Sequence, residues 1–293
     1  MIKRWITYVD PPQNRWRIAS GPPTIALTGA SRYDGHAMRP IPLALAAVCT
    51  AALTGVASQP LYAQEEASVN RVIEQLRQGQ PAIGTFTRAA RPDLDFAVID
   101  EQYGDFDIDG VREAVVAIRA GSATPAITPV VRIPLAERDT PEAVVGQVLD
   151  AGASSVMFPD IETRAQAVSA VNSMRVRRAS GADVWPLDPN GTLVAMLQIE
   201  TLVGIANLDE ILDVPGIGVI FLGPTDLAAS AREDGPNAPR VDALVHQVLE
   251  ACLERNIPCG YPIVASTPED AERQTARRLA EGFKVLAVMT TVR

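Results

Sequence analysis

Eight short, mostly apolar runs recur along the sequence after residue 80, and amphipathic segments separate them. Runs of this kind are typical of strands that are buried on both faces of a parallel sheet. They cover residues 82–86, 96–99, 129–133, 155–158, 194–199, 218–222, 258–262 and 284–289. Eight strands that alternate with helices within about 225 residues predict an α/β fold, the TIM (β/α)8 barrel.

The segments between the runs carry apolar residues at helical spacing. They cover residues 108–119, 141–151, 164–174, 202–211, 241–256 and 268–281. A further helix, with Ser68 as its N-cap, is expected before the first strand and ends near Gly79. The sequence stops just after the eighth run, so we expect a barrel that lacks its final helix. An open doubly wound sheet is the alternative, but no GxGxxG motif follows the first strand.

The first 63 residues differ from the rest of the chain, and we interpret them as two segments outside the barrel. Residues 1–37 are proline-rich and aperiodic, which predicts an upstream extension without stable structure. Residues 38–63 have a basic start, an apolar stretch and a final Ala63, which is the pattern of a signal peptide. The barrel domain is therefore expected over residues 64–293.

Export to the periplasm or the medium follows if this signal peptide is used, and a cytoplasmic location follows if it is not. A membrane anchor is the alternative, but the apolar stretch is shorter than the roughly 20 residues that a span requires. We expect no stable membrane span in the mature chain. The loop of residues 176–191 could fold over the barrel mouth as a lid or could be an ordinary surface loop.

Charge and cysteine content exclude several functions. The net charge of −9 argues against nucleic acid as a partner, because a phosphate backbone requires a basic surface. Cys252 lies in an amphipathic segment and Cys259 opens a strand run, so two buried thiols are favoured over a disulfide. The sequence contains no CxxC motif and no Cys/His cluster that would indicate a zinc site.

Polar side chains follow the fifth and sixth runs, at the strand ends where barrel enzymes place their chemistry. Gln198 and Glu200 are two residues apart and are expected on one face of their strand, and Asp226 follows the next strand. Neighbouring parallel strands are roughly 4.8 Å apart, so both carboxylates could reach one cation. Two oxygen ligands with room for water and substrate indicate Mg²⁺ or Mn²⁺.

These residues belong to two motifs, Gln198-Ile199-Glu200 and the segment Gly-Pro-Thr-Asp-Leu at 223–227. The pair of motifs resembles the HpcH/HpaI aldolase (citrate-lyase-like) family, and the likeness extends over about residues 69–293. The resemblance implies a TIM barrel, a class II pyruvate aldolase that requires a divalent metal, a 2-oxo acid substrate and a homo-oligomer. It also implies that Gln198, Gly223 and the backbone N–H of Thr225 contact the substrate.

Arg132 ends the third run, and its guanidinium could neutralise a substrate oxyanion or form a structural ion pair with Asp100. The resemblance implies the first role, with Asp100 orienting the arginine. The chain departs from the family pattern at Tyr103, which stands where the family has a histidine that assists proton transfer. Tyrosine, with a pKa of about 10, is a poor base at neutral pH.

Two functions remain open on these residues. The first is a metal-dependent C–C lyase that cleaves a 4-hydroxy-2-oxo acid to a pyruvate-type acid and an aldehyde, with Tyr103 as a hydrogen-bond donor. A related alternative is an enzyme of the same superfamily that acts on another oxo acid or an acyl thioester. The second is a non-catalytic or altered barrel that binds a 2-oxo acid. A Schiff-base aldolase is not expected, because Lys284, the only lysine after Lys3, starts the eighth run and lies away from the mouth.

Overall fold

The computed structural model describes residues 70–120, 127–175 and 183–291. The predicted extension and signal peptide lie outside these ranges. Among the described helices, none is both long enough and apolar enough to cross a bilayer.

A closed parallel barrel of eight strands forms the centre of the fold, as predicted. Its strands run in the order β4-β3-β2-β1-β9-β8-β7-β6, and a pairing between β4 and β6 closes the ring. A ninth, two-residue strand, β5, adds to the sheet beside β6. The strands are β1 (Ala82–Phe86), β2 (Phe96–Asp100), β3 (Thr128–Arg132), β4 (Ser155–Phe158), β5 (Val184–Trp185), β6 (Leu193–Ile199), β7 (Val219–Leu222), β8 (Cys259–Ala265) and β9 (Val285–Thr290).

Helices surround the barrel and lie close to the predicted segments. They are α1 (Arg71–Arg77), α2 (Ile108–Ala120), α3 (Glu142–Asp150), α4 (Arg164–Ser173), α5 (Leu202–Ala206), α6 (Leu208–Leu212), α7 (Pro224–Ala231), α8 (Pro239–Glu254) and α9 (Pro268–Glu281), with a 3-10 turn at Leu135–Glu137. The single helix predicted over 202–211 is wrong, because the chain leaves helical geometry at Asn207 and forms α5 and α6. The described residues end one position after β9.

Side chains of the strands alternate between the barrel interior and the helical layer. On β6, Val194 and Met196 belong to the interior cluster, whereas Ala195 and Leu197 pack in the cluster beneath the helices. This period of two is the geometric property on which the predicted placement of Gln198 depends.

Helix α1 covers the N-terminal end of the barrel. Its N-cap is Asn70 rather than the predicted Ser68, because the Asn70 Oδ1 accepts hydrogen bonds from the backbone N–H groups of Val72 (3.1 Å) and Ile73 (3.4 Å). The Asn70 Nδ2 donates to the Ser155 Oγ at 3.0 Å, which ties the cap to β4. Val72 and Ile73 pack into the interior cluster, so the open mouth lies at the other end.

The loop 176–191 could be a lid over the mouth or an ordinary surface loop, and the structure contradicts the lid for the described part, residues 183–191. Val184 pairs with Leu193 and Trp185 pairs with Val194, at the start of β6. This backbone pairing holds the segment at the N-terminal end of the barrel, opposite the mouth. Cys252 and Cys259 are both buried and free, as predicted.

Candidate active site

Arg132 and Asp100 form an ion pair at the C-terminal ends of β3 and β2. The two residues are direct partners in the strand register, so their side chains start side by side. The Arg132 Nε donates to Asp100 Oδ1 at 2.8 Å, and its Nη2 donates to Oδ2 at 2.5 Å. The guanidinium also lies over the ring of Phe86, 4.9 Å from its centre. Asp100 and Phe86 therefore hold the arginine in one orientation at the mouth.

Glu200 lies at the end of β6, inside the barrel and almost completely shielded from solvent, with 1% of its surface exposed. Its Oε2 accepts a hydrogen bond from the Gln198 Nε2 at 3.2 Å, so these two residues share one face as predicted. Its Oε1 accepts from the backbone N–H of Asp160 at 2.9 Å. The Gln198 Oε1 is buried and has no hydrogen-bond partner among the described residues.

Burial raises the pKa of the Glu200 carboxyl from its ordinary value to about 8. The negative charges of Asp160 and Asp226 also raise this pKa, whereas the Asp160 N–H and the charge of Arg132 lower it. Without a neighbouring cation, the folded protein therefore keeps Glu200 largely protonated at neutral pH. A bound cation would favour the ionised form instead.

Asp226 lies in the first turn of α7, the helix that follows β7. The helix begins because Pro224 occupies its first position, where the missing N–H costs nothing. In this turn the N–H of Thr225 has no intrahelical acceptor, since it occupies the second helical position. The contact of this N–H with a ligand stays a prediction. The Thr225 N–H makes no hydrogen bond to any described residue, so it is available as a donor.

Gly223 provides clearance for the Glu200 carboxylate. A Cβ atom at this position would lie 1.9 Å from the Glu200 Oε2 and 2.7 Å from the Glu200 Cβ. The N–H of Gly223 is directed to the carbonyl of Ile199, at 3.4 Å. The structure thus explains the glycine by the space that Glu200 occupies, and its predicted contact with substrate stays a prediction.

Asp160 is a site residue that the sequence motifs did not single out. It follows β4 with a φ of 47°, a left-handed conformation in which its N–H donates to Glu200. Burial, followed by the charges of Glu162 and Asp226, raises the pKa of Asp160 despite an opposing hydrogen bond from Glu200. Its place directly after a barrel strand was the signal available in the sequence.

Tyr103 lies near these carboxylates and is 70% exposed. Partial burial and then the negative charges of Asp226 and Glu200 raise its pKa above the ordinary value. The phenol therefore stays protonated at neutral pH, a form that can donate a hydrogen bond but cannot serve as a base. Glu101, the residue two before it, is engaged by Arg88. The buried Gln102 Oε1 has no partner among the described residues.

The donor set at the mouth fits a hard divalent cation. Glu200 and Asp226 offer carboxylate oxygens, the ligands that Mg²⁺ and Mn²⁺ prefer, and a site of one or two carboxylates is common for Mg²⁺. Over the part of the chain that the structure describes, no three or more His, Cys, Asp and Glu side chains form a metal cluster. The argument for a cation site therefore depends on the carboxylates of Glu200 and Asp226, and on the almost complete burial of Glu200.

The raised pKa of Glu200 predicts how stability depends on pH in the absence of metal. The unfolded chain releases this proton near pH 4.5 and the folded chain near pH 8, so the contribution of Glu200 to the free energy of unfolding is greatest below pH 4.5 and falls between these values. The expected slope reaches up to about 1.4 kcal/mol per pH unit. Urea unfolding in EDTA should show this fall in the wild type and a smaller one in Glu200→Gln. Equal slopes would contradict the assignment.

A closed parallel barrel with acidic groups and an oriented arginine at the carboxyl ends of its strands defines a TIM-type enzyme site. The family model described as HpcH/HpaI aldolase/citrate lyase matches residues 93–291. The chain therefore belongs to this family, and the match includes Asp100, Arg132, Glu200 and Asp226.

Individual relatives agree with this assignment. The 4-hydroxy-2-oxovalerate aldolase of Novosphingobium aromaticivorans is 32% identical over 216 residues, which cover 66% of this chain and 79% of the relative. The hydroxypyruvate/pyruvate aldolase of Rhizorhabdus wittichii is 30% identical, with coverage of 62% and 76%. A crystal structure of an HpcH/HpaI aldolase/citrate lyase family protein from Burkholderia cenocepacia shares the fold, with a TM-score of 0.61, 24% identity and coverage of 76% and 93%. The named relatives are aldolases, which supports lyase activity.

Proposed function

We propose that the protein is a divalent-metal-dependent C–C lyase that cleaves a 4-hydroxy-2-oxo acid to a pyruvate-type 2-oxo acid and an aldehyde. The observation that carries the proposal is the buried carboxyl of Glu200, which burial and neighbouring acids hold at a pKa of about 8 beside Asp226 and Arg132. A carboxyl in such a place is costly to ionise unless a cation compensates it. Glu200 and Asp226 would hold Mg²⁺ or Mn²⁺, which when bound supplies Lewis-acid polarisation of the substrate.

The other residues bind and orient the 2-oxo acid. The guanidinium of Arg132, held by Asp100, donates to the oxygen that becomes negative as the C–C bond breaks. One N–H of the Gln198 amide donates to Glu200, and the other can donate to the substrate carboxylate. The free N–H of Thr225 is a second donor for that carboxylate. The names of the relatives above, a hydroxy-oxovalerate aldolase and a hydroxypyruvate/pyruvate aldolase, favour substrates of this class.

Tyr103 takes the place of the family histidine as a donor rather than a base. We expect Tyr103→Phe to lower kcat about tenfold, since one donated hydrogen bond is lost. Stability should change little, because the side chain is 70% exposed. Tyr103→His should restore a base near neutral pH and give the rate a pH dependence centred near 6.5. Steady-state kinetics from about pH 5 to about pH 9 measure both variants, and a kcat of Tyr103→Phe equal to that of the wild type would contradict the donor role.

The decisive experiment is an assay of 2-oxo acid release across several 4-hydroxy-2-oxo acids, with Mg²⁺, with Mn²⁺ and with EDTA. The proposal predicts release that requires a cation. The departure at Tyr103 favours one competing function, a barrel that binds a 2-oxo acid without cleaving it. Calorimetric binding of pyruvate by a protein that cleaves none of the substrates would support that competitor and reject the lyase.

A further inference from the structure

A second cavity, of about 580 Å³, opens at the end of the barrel opposite the candidate active site. Residues at the N-terminal ends of strands line it, including Cys259 at the start of β8 and Lys284 just before β9. Glu200 and Asp226 follow the C-terminal ends of β6 and β7 instead. The cavity is therefore separate from the metal site proposed above, and its volume lies within the roughly 300–1,000 Å³ of small-molecule sites.

Most of the cavity wall is apolar and part of it is aromatic. The apolar lining includes Leu76, Trp185, Pro186, Val214, Leu253 and Ile257. Leu253 is 50% exposed although it belongs to α8, whose inner face is buried. A half-exposed aliphatic side chain and an indole ring that line the same cavity are typical of a site for an apolar group.

Two cationic side chains, Arg255 and Lys284, line the cavity, and only Arg255 forms ion pairs with described residues. The guanidinium of Arg255 is neutralised by Asp209 at 2.8 Å and by Asp213 at 3.6 Å. The ammonium of Lys284 has no hydrogen bond or ion pair with any described residue, and no other lysine occurs after Lys3. In a chain with a net charge of −9, an unpaired cation on an apolar wall is complementary to one negative charge.

We propose that this cavity binds a small amphipathic monoanion, a molecule with an aromatic or branched aliphatic body and a single carboxylate. The body packs against Trp185 and Leu253, and the carboxylate pairs with Lys284. This site does not depend on the proposed lyase activity, since it shares no residue with the barrel mouth.

The test is calorimetric titration of the full chain with 3-phenylpropionate, with its uncharged amide and with acetate. The proposal predicts binding of the carboxylate at one site per chain, about fivefold weaker binding of the amide, and no detectable binding of acetate. Lys284→Gln should remove the preference for carboxylate over amide. Arg273→Gln, a change of an exposed cation on α9 outside the cavity, should keep it.

A second pair of variants tests the apolar wall. Leu253→Glu places a negative charge in the cavity and should abolish binding, whereas Val203→Glu, at a residue 51% exposed and outside the lining, should not. Thermal unfolding checks that both variants fold. In a full chain that carries Trp5→Phe and Trp16→Phe, only Trp185 remains of the three tryptophans, and its emission should change with the same affinity.

Four outcomes would overturn the proposal. They are the absence of binding up to the solubility limit, a carboxylate preference that survives Lys284→Gln, binding that disappears in Glu200→Gln, and binding that falls as the chain self-associates. Loss of binding in Glu200→Gln would indicate that the ligand binds at the barrel mouth. Binding that falls with self-association would indicate that the cavity is an interface between copies of the chain.

Discussion

Replacing Glu200 by glutamine is expected to lower cleavage of the 4-hydroxy-2-oxo acid by about 1,000-fold or more, the loss typical when a group that stabilises developing charge is removed. The substitution keeps the shape of the side chain and removes only the negative charge that would hold the cation. Assay of 2-oxo acid release at saturating Mn²⁺ measures the effect.

The fold should tolerate this substitution. Glu200 is largely protonated in the metal-free protein at neutral pH, so a neutral amide resembles the group that it replaces. Its oxygen can still accept from the Asp160 N–H, and its nitrogen can donate to the Gln198 Oε1 once that amide rotates. We expect the free energy of unfolding at pH 7 to change by less than about 1 kcal/mol.

Glu162 supplies a matched control, because Glu162→Gln makes the same chemical change at a neighbouring carboxylate that Arg138 engages at 3.2 Å. This control should stay within about threefold of the wild-type rate, since its charge is already paired. A Glu200→Gln protein as active as the control would mean that Glu200 holds no catalytic cation.

The second large effect is expected from Gly223→Ala. The added methyl group would lie 1.9 Å from the Glu200 Oε2, so the carboxylate must move and the metal site loses its geometry. We expect about a 100-fold loss of turnover, together with a destabilisation of about 1–3 kcal/mol from overpacking. Kinetics against Mn²⁺ concentration should show that the cation binds more weakly.

Gly235→Ala is the control for this change, because a Cβ atom at this position would have no heavy atom within 4 Å outside its chain neighbours and its φ is not in the left-handed region. This variant should behave as the wild type. Full activity of Gly223→Ala at ordinary Mn²⁺ concentrations would show that the Glu200 carboxylate need not occupy the position seen beside Gly223.

The periodicity of the sequence predicted the barrel because eight buried strands and their helices leave a repeated apolar pattern. The same period of two placed Gln198 and Glu200 on one face, and the strand ends located Arg132 and Asp226 at one mouth. The register of β2 and β3 then brings Asp100 to Arg132, a pairing that the sequence allowed but did not require.

Features that depend on distant residues escaped prediction. The pKa of Glu200 depends on Asp160, which lies forty residues earlier and reaches it only through a left-handed turn after β4. The need for a glycine at position 223 depends on the Glu200 side chain, which follows the neighbouring strand β6. The sequence left open whether the loop 176–191 is a lid, because β5 has only two residues, too few to leave a pattern, and they pair at the bottom of the barrel.

A titration of Mn²⁺ followed by electron paramagnetic resonance tests the central claim, that Glu200 and Asp226 together hold one divalent cation. We expect one bound Mn²⁺ per chain in the wild type, a perturbed signal when pyruvate is added, and the loss of this site in both Glu200→Gln and Asp226→Asn. One Mn²⁺ of unchanged affinity in either variant would contradict it.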